Sequence, residues 1–253
     1  MPQSVDRALD VLDAVAAATG PVPAKALARR LGCGLSTVYE LLGALTDRGH
    51  LTRTPAGYVL GYRVPALHRA FQRQMRMGDE VQELLTRAHR TAGVDTYFST
   101  YRDGDIAVLA GATTTHPTGG FGTGQDAHGY ATAHGKVLLA ALPRAARLRY
   151  LAASGMRAIT PRTITSAERL DVQLRRVRDE GVAVEVEECV PGVACVAVPV
   201  PVPSSEGLAA VSAALPLDDF HRRGAQVTET LRAVAAEAAK WRGVSDISRL
   251  TDG

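Results

Sequence analysis

The feature that most constrains this chain is the order of helical runs and breaks in its first sixty residues. Apolar residues recur at helical spacing through Val5, Ala8, Leu9, Leu12, Val15 and Ala16, with Ser4 placed to cap the run. Gly20-Pro21 stops it. A second short run opens at Pro23, a good first-turn residue, and sets Leu27, Ala28 and Leu31 on one face. Gly32-Cys33-Gly34 then allows a tight turn before a third run, Ser36 to Asp47, with Val38, Leu41, Leu42 and Leu45 inward and Gly49 closing it. Leu51-Thr52-Arg53 and Tyr58-Val59-Leu60 follow as two short strands about Thr54-Pro55-Ala56-Gly57. Three helices, a glycine turn between the last two and a hairpin in this order predict a winged helix-turn-helix.

Such a fold fits its third helix into the major groove of duplex DNA, while helix ends and wing grip phosphates. The charge is distributed accordingly. Residues 1–77 hold ten basic side chains against five acidic ones, whereas the whole chain carries only +3, so a basic head sits on a mildly acidic body. Lys25, Arg29, Arg30 and the wing residue Arg53 are candidate phosphate contacts. Ser36 and Thr37 stand at the positive end of the third helix, and Thr37, Tyr39, Glu40 and Ala44 are left facing outward by its apolar stripe.

The segments RALDVLDAV, AKALARRLG, STVYELLGALTDRGHLTR and GYVLG resemble the N-terminal domain of the IclR family of bacterial transcription regulators. The resemblance continues in YATAHGKVLLAALP, ITPRTIT, LRRVRDEGVAVEVEECVPGVACVAVPV and GLAAVSAALP, in the family order. It implies an α+β chain: an N-terminal winged helix-turn-helix (1–62), a linking helix (63–78), and a C-terminal GAF-like effector-binding domain (79–253). It also implies a homodimer or dimer of dimers on a palindromic operator in double-stranded DNA, with a small-molecule effector and no cofactor. Matched to the family pattern, the effector contacts fall on Tyr130, Ala133, His134, Glu185, Val193, Cys195 and Ser212. Two departures bear on specificity. Leu35 replaces the family's usual basic residue before Ser36, and Glu40 its usual arginine. Tyr130 and His134 also replace, respectively, a histidine and a small residue, which suits an effector that is aromatic or larger than a small keto acid.

Hydrophobic periodicity in the second part predicts an α+β body. A helix from Asp79 buries Val81, Leu84, Leu85 and Ala88, and strands over Thr96–Tyr101 and Ile106–Ala112 pair across a turn. An aperiodic Thr/Gly stretch spans residues 113–129. Helices follow at Ala131–Leu142 and Pro143–Ala153, and a third is capped by Ser166. Strands over Val182–Glu187, Val193–Val200 and Leu208–Ala214 precede a last helix from near Asp218 toward Trp241.

Simpler roles stay open for three of these residues: Cys195 as a small core residue, His134 as a hydrogen-bonded structural histidine, Glu185 as a water-facing residue between Val184 and Val186. An enzyme built on Cys189 or Cys195 with His116, His128 or His134 is the competing class. It lacks any nucleophile-elbow, phosphate-loop or zinc-protease motif, and GGFGTG at residues 119–124 lacks the strand-to-helix setting of a nucleotide loop. A third class is an architectural DNA-binding protein with an inert body. Three cysteines without a CxxC argue against a zinc site or disulfide scaffold, and no apolar run reaches membrane-spanning length, so a non-enzymatic cytoplasmic regulator is expected.

Overall fold

A computed structural model describes residues 3–74, 79–114, 118, 124–201 and 208–240. The chain forms two compact units, Met1–Gln74 and Met75–Gly253. The expected boundary at Gly78, His116, most of the GGFGTG stretch, the turn at 203–207 and Trp241 lie outside the described residues.

The first unit contains α1 (Gln3–Ala16), α2 (Ala24–Leu31), α3 (Leu35–Asp47), strands β1 (Leu51–Thr54) and β2 (Gly57–Leu60), and α4 (Arg63–Gln74). Its core joins Val11, Val15, Leu27, Val38, Leu42, Leu45, Leu51 and Tyr58. Gly32 ends α2 in the left-handed region, its N–H bonded to the Ala28 carbonyl, which no Cβ-bearing residue adopts as cheaply. Two expectations change. Ser4 lies inside the first turn of α1 rather than ahead of it, and Val5 and Leu9 remain exposed, because only the C-terminal half of α1 enters the core. The wing is an antiparallel pair with Arg53 opposite Tyr58. It is tied to the α1–α2 connection by reciprocal Val22–Tyr58 backbone bonds of 2.9 Å. Gly57 sits where this contact is tightest. It has φ +147°, and a Cβ there would lie 2.6 Å from the Val22 carbonyl.

The second unit opens with α5 (Asp79–Ala92), then β3 (Asp95–Arg102), β4 (Asp105–Ala112) and the short β5 (Gly124–Gln125). Helices α6 (Ala133–Ala141), α7 (Arg144–Ser154) and α8 (Ala167–Glu180) follow. Strands β6 (Ala183–Val186), β7 (Val193–Val200) and β8 (Leu208–Pro216) and helix α9 (Leu217–Ala238) complete it. The sheet runs β5-β4-β3-β8-β7-β6, antiparallel throughout. On one face α5 and α9 pack over Phe98, Leu109, Val196, Val198 and Val211. The opposite face carries Tyr97, Ile106, Cys195, Ala197, Ala210 and Ala214 beneath α6, which also touches α8. Residues 133–140 of α6 are consequently buried on every side. Ser166 caps α8 as its spacing predicts, accepting from Arg169 N–H. The last helix starts at Leu217, with Asp218 and Asp219 in its first turn, where the positive end of the helix favours them.

Candidate functional site

On the first unit, α3 buries Val38, Leu42 and Leu45 and turns Ser36, Tyr39, Glu40, Gly43 and Ala44 to solvent, with Thr37 half-buried. Its N-cap is Gly34, which has no side chain, so the amides of its first turn have no side-chain acceptor at the cap. Lys25, Arg29 and Arg30 are exposed on α2, Arg48 just beyond α3, and Arg53 on β1. An uncapped helix start can receive a phosphate, and exposed cations on the same unit favour a polyanion.

On the second unit, β-sheet register gathers the expected effector contacts. Glu185 lies opposite Cys195, which lies opposite Ala214. Two residues along β7, Ala197 faces Ser212, which pairs with Tyr97. Glu185, Val193, Cys195 and Ser212 therefore share one face of the sheet. Tyr130 and Ala133 belong to the same buried cluster as Val193 and Cys195. Tyr130 donates its hydroxyl proton to the Arg157 carbonyl at 2.9 Å. His134 Nε2 lies 2.8 Å from Asp126 Oδ2, so this histidine is hydrogen-bonded, as its simpler reading expects. Gly135 permits the seating of α6: a Cβ there would lie 2.2 Å from the Gly129 carbonyl oxygen.

The polar groups of this region form a connected set. Burial disfavours the Asp126 carboxylate, yet hydrogen bonds with His134, His128 N–H and Thr132 outweigh it and hold its pKa below the ordinary value. Tyr150 fixes the same turn, donating to the Asp126 carbonyl and accepting from Gly129 N–H. Lys136 Nζ lies 2.5 Å from Glu188 Oε1, both buried. Glu188 N–H in turn donates to Glu185 Oε2 at 2.9 Å. The turn after β6 is clamped by Thr160 and Thr163, whose hydroxyls donate to the Glu187 and Glu188 carbonyls at 2.6 Å each. Glu185 Oε1 and Glu188 Oε2 remain buried with no hydrogen-bond partner among the described residues. Burial pushes the Glu185 carboxyl upward, and Cys195 and Lys136 only partly offset it. Burial and the nearby carboxylates push the Cys189 thiol up to about 12 and the Cys195 thiol well above its ordinary value. Among the described residues no group of three or more His, Cys, Asp or Glu is placed to hold a metal ion.

Residues 4–55 match the IclR helix-turn-helix domain, and residues 73–240 match the bacterial transcriptional regulator IclR C-terminal domain. The chain belongs to the IclR family. It is an IclR-type DNA-binding transcription regulator with a C-terminal effector-binding domain. It is 30% identical over 219 residues to the HTH-type transcriptional regulator BhcR of Paracoccus denitrificans, covering 85% of this chain and 77% of that one. Its fold matches the Thermotoga maritima IclR structure with a TM-score of 0.72 at 22% identity, over 97% of this chain and 100% of the other. An IclR homologue from Microbacterium hydrocarbonoxydans, solved in complex with 4-hydroxybenzoate, aligns with a TM-score of 0.70 at 19% identity, over 98% and 100% of the two chains.

Within this IclR frame, sequence reasoning missed the supporting polar groups: Asp126, Lys136, Glu188, Thr160 and Thr163. One signal was present. A lysine inside the otherwise apolar run AHGKVLLAA needs a buried counter-charge. Nothing in the spacing names Glu188, fifty-two residues away, as the partner.

Proposed function

We propose that this IclR-family regulator binds a palindromic operator in double-stranded DNA as a homodimer or dimer of dimers, and that a small molecule in the second unit sets its operator affinity. In this reading residues 1–62 are the DNA head, 63–78 the linking helix and 79–253 the effector domain. Lys25, Arg29, Arg30 and Arg53 hold phosphates, while Ser36, Thr37, Tyr39 and Glu40 face the groove. The effector lies between α6 and the β6–β7–β8 face, against Tyr130, Ala133, His134, Glu185, Val193, Cys195 and Ser212.

The observation that carries the sensor role is the pair of unpartnered carboxylate oxygens, Glu185 Oε1 and Glu188 Oε2, buried at the edge of that face. Burying such acceptors without donors costs about 1–3 kcal/mol each, a debt that a ligand's hydroxyl or amine hydrogens would relieve. The 4-hydroxybenzoate complex of the Microbacterium homologue supports a small-molecule role for this fold. The chain acts as a regulator and not an enzyme in this reading. Both candidate thiols are driven away from the thiolate form, which is the nucleophile. The expected setting is the cytoplasm.

The test is operator selection from random duplex with the full chain, followed by a metabolite screen scored by release from, or tightening on, that duplex. An effector should change operator affinity about 5–150-fold. A selected operator whose affinity no bound small molecule alters would sink the sensor role.

A further inference from the structure

The composition of α3 limits which bases it can read. Between Leu35 and Asp47 there is no Arg, Lys, His, Asn or Gln. Four of these make the bidentate purine contacts of the major groove: Arg or Lys with guanine O6 and N7, Asn or Gln with adenine N6 and N7. What α3 presents instead is apolar, hydroxylated or acidic. Leu35 is 36% exposed and Tyr39 51% exposed, and Ser36 and Glu40 are exposed beside them. Leu35 and Tyr39 stand four residues apart, one above the other on the helix, and Ser36 and Glu40 form the adjoining row. Gly43 and Ala44, also exposed, leave the next turn low enough for close approach of a base edge.

Each of these groups has a specific complement. Exposed apolar surface on a groove-facing helix fits the C5 methyl of thymine, the one apolar feature of the major-groove floor. The Glu40 carboxylate accepts hydrogen bonds and cannot donate them. It therefore suits the amino group of cytosine and repels guanine O6 and N7, which are acceptors. The cations of the head, Arg7, Lys25, Arg29, Arg30, Arg48 and Arg53, all lie off α3. The cationic side chains that attract the backbone and the side chains offered to the bases thus stand on different elements.

We infer that α3 reads pyrimidines: Leu35 and Tyr39 pack on thymine methyls, and Glu40 accepts from the amino group of a cytosine. This rests on the proposal that α3 occupies the major groove. It specifies the chemistry of the operator half-site that α3 faces.

The experiment uses the full chain and duplexes enriched from a random pool. Each thymine of the enriched half-site is replaced by uracil, which removes only the C5 methyl, and each cytosine by N4-methylcytosine, which removes the groove-facing amino hydrogen. Loss of one buried methyl should weaken binding about fourfold at each contacted thymine. Methylation of the contacted cytosine should weaken it about tenfold or more. Leu35→Ala should erase the uracil penalty at one thymine. Glu40→Ala should erase discrimination at the cytosine, and Glu40→Gln should move preference there toward adenine. Both residues are exposed, so far-UV circular dichroism should match the parent chain. An enriched site indifferent to both base modifications overturns this inference alone, as does a guanine preference lost on changing Glu40. Failure to enrich any sequence overturns the operator-binding proposal and this inference with it.

Discussion

The ammonium of Lys136 on α6 meets the Glu188 carboxylate beyond β6 at 2.5 Å, and the two side chains are 1% and 8% exposed. Removing one member leaves the other as an uncompensated buried charge. Lys136→Met is expected to cost about 3–5 kcal/mol in urea unfolding followed by circular dichroism. Adding Glu188→Leu should recover most of that loss, because a well-packed apolar pair replaces the ions without the desolvation penalty. A single variant as stable as the parent would mean the pair contributes nothing.

Asp126 and Glu185 should impose opposite pH dependences on stability. The folded state depresses the Asp126 pKa, so its contribution is present above the unfolded value and is lost as pH falls through the folded one. Asp126→Asn is therefore destabilising at neutral pH, with the penalty fading in acid. Glu185 has its folded pKa raised by burial above 4.5. Its carboxyl costs nothing while protonated in both states, and stability falls as pH rises through the folded pKa. Glu185→Gln should raise the melting temperature at neutral pH and leave it unchanged in acid. Melting curves over a pH series would check both signs.

The close approach of Gly57 to Val22 makes a sharp test of the wing. Alanine there must accommodate both the positive φ and the 2.6 Å contact with the Val22 carbonyl. Gly57→Ala should destabilise the first unit by about 1–3 kcal/mol. Hydrogen exchange should report loss of protection at the Val22 and Tyr58 amides, whose mutual bonds close the wing. Amide protection in α9 should not change.

Arg53 and Thr37 should fail differently when truncated. Arg53→Ala is expected to weaken binding to every duplex and to reduce the slope of log affinity against log salt by about 0.9 per head, about 1.8 for a dimer on a palindromic operator. Thr37→Ala should cost about 1–3 kcal/mol on the selected operator and little on random duplex. Affinity titrations at several salt concentrations distinguish the two patterns. Equal losses on both duplex types from Thr37→Ala would remove it from the reading surface.

Local pattern accounted for much of this architecture. The glycine breaks around α2 and α3, the hairpin of β3 and β4, and the Ser166 cap of α8 are decided by residues a few positions apart, so periodicity and turn chemistry reveal them. The sheet face beneath α6 was only partly legible. Glu185 alternates with valines, which suggests a carboxylate facing water, yet Val184 is the exposed residue and Glu185 is 1% exposed. The register with β7 settles which side of β6 faces inward, and register is a long-range property. Asp126 was hidden for a different reason. It lies at the end of an aperiodic Thr/Gly stretch where β5, two residues long, is too short to leave a periodic signal. Its importance arises from His134, Thr132 and Tyr150 converging on it in space.

Because α6 is enclosed along eight consecutive residues, it behaves as a keystone that tolerates little remodelling. Adaptation toward new inducers in a laboratory selection should therefore collect on the strand positions facing it and leave the helix nearly invariant. Chemical novelty in a regulator that uses this face would enter through the sheet, while the helix packed on it stays fixed.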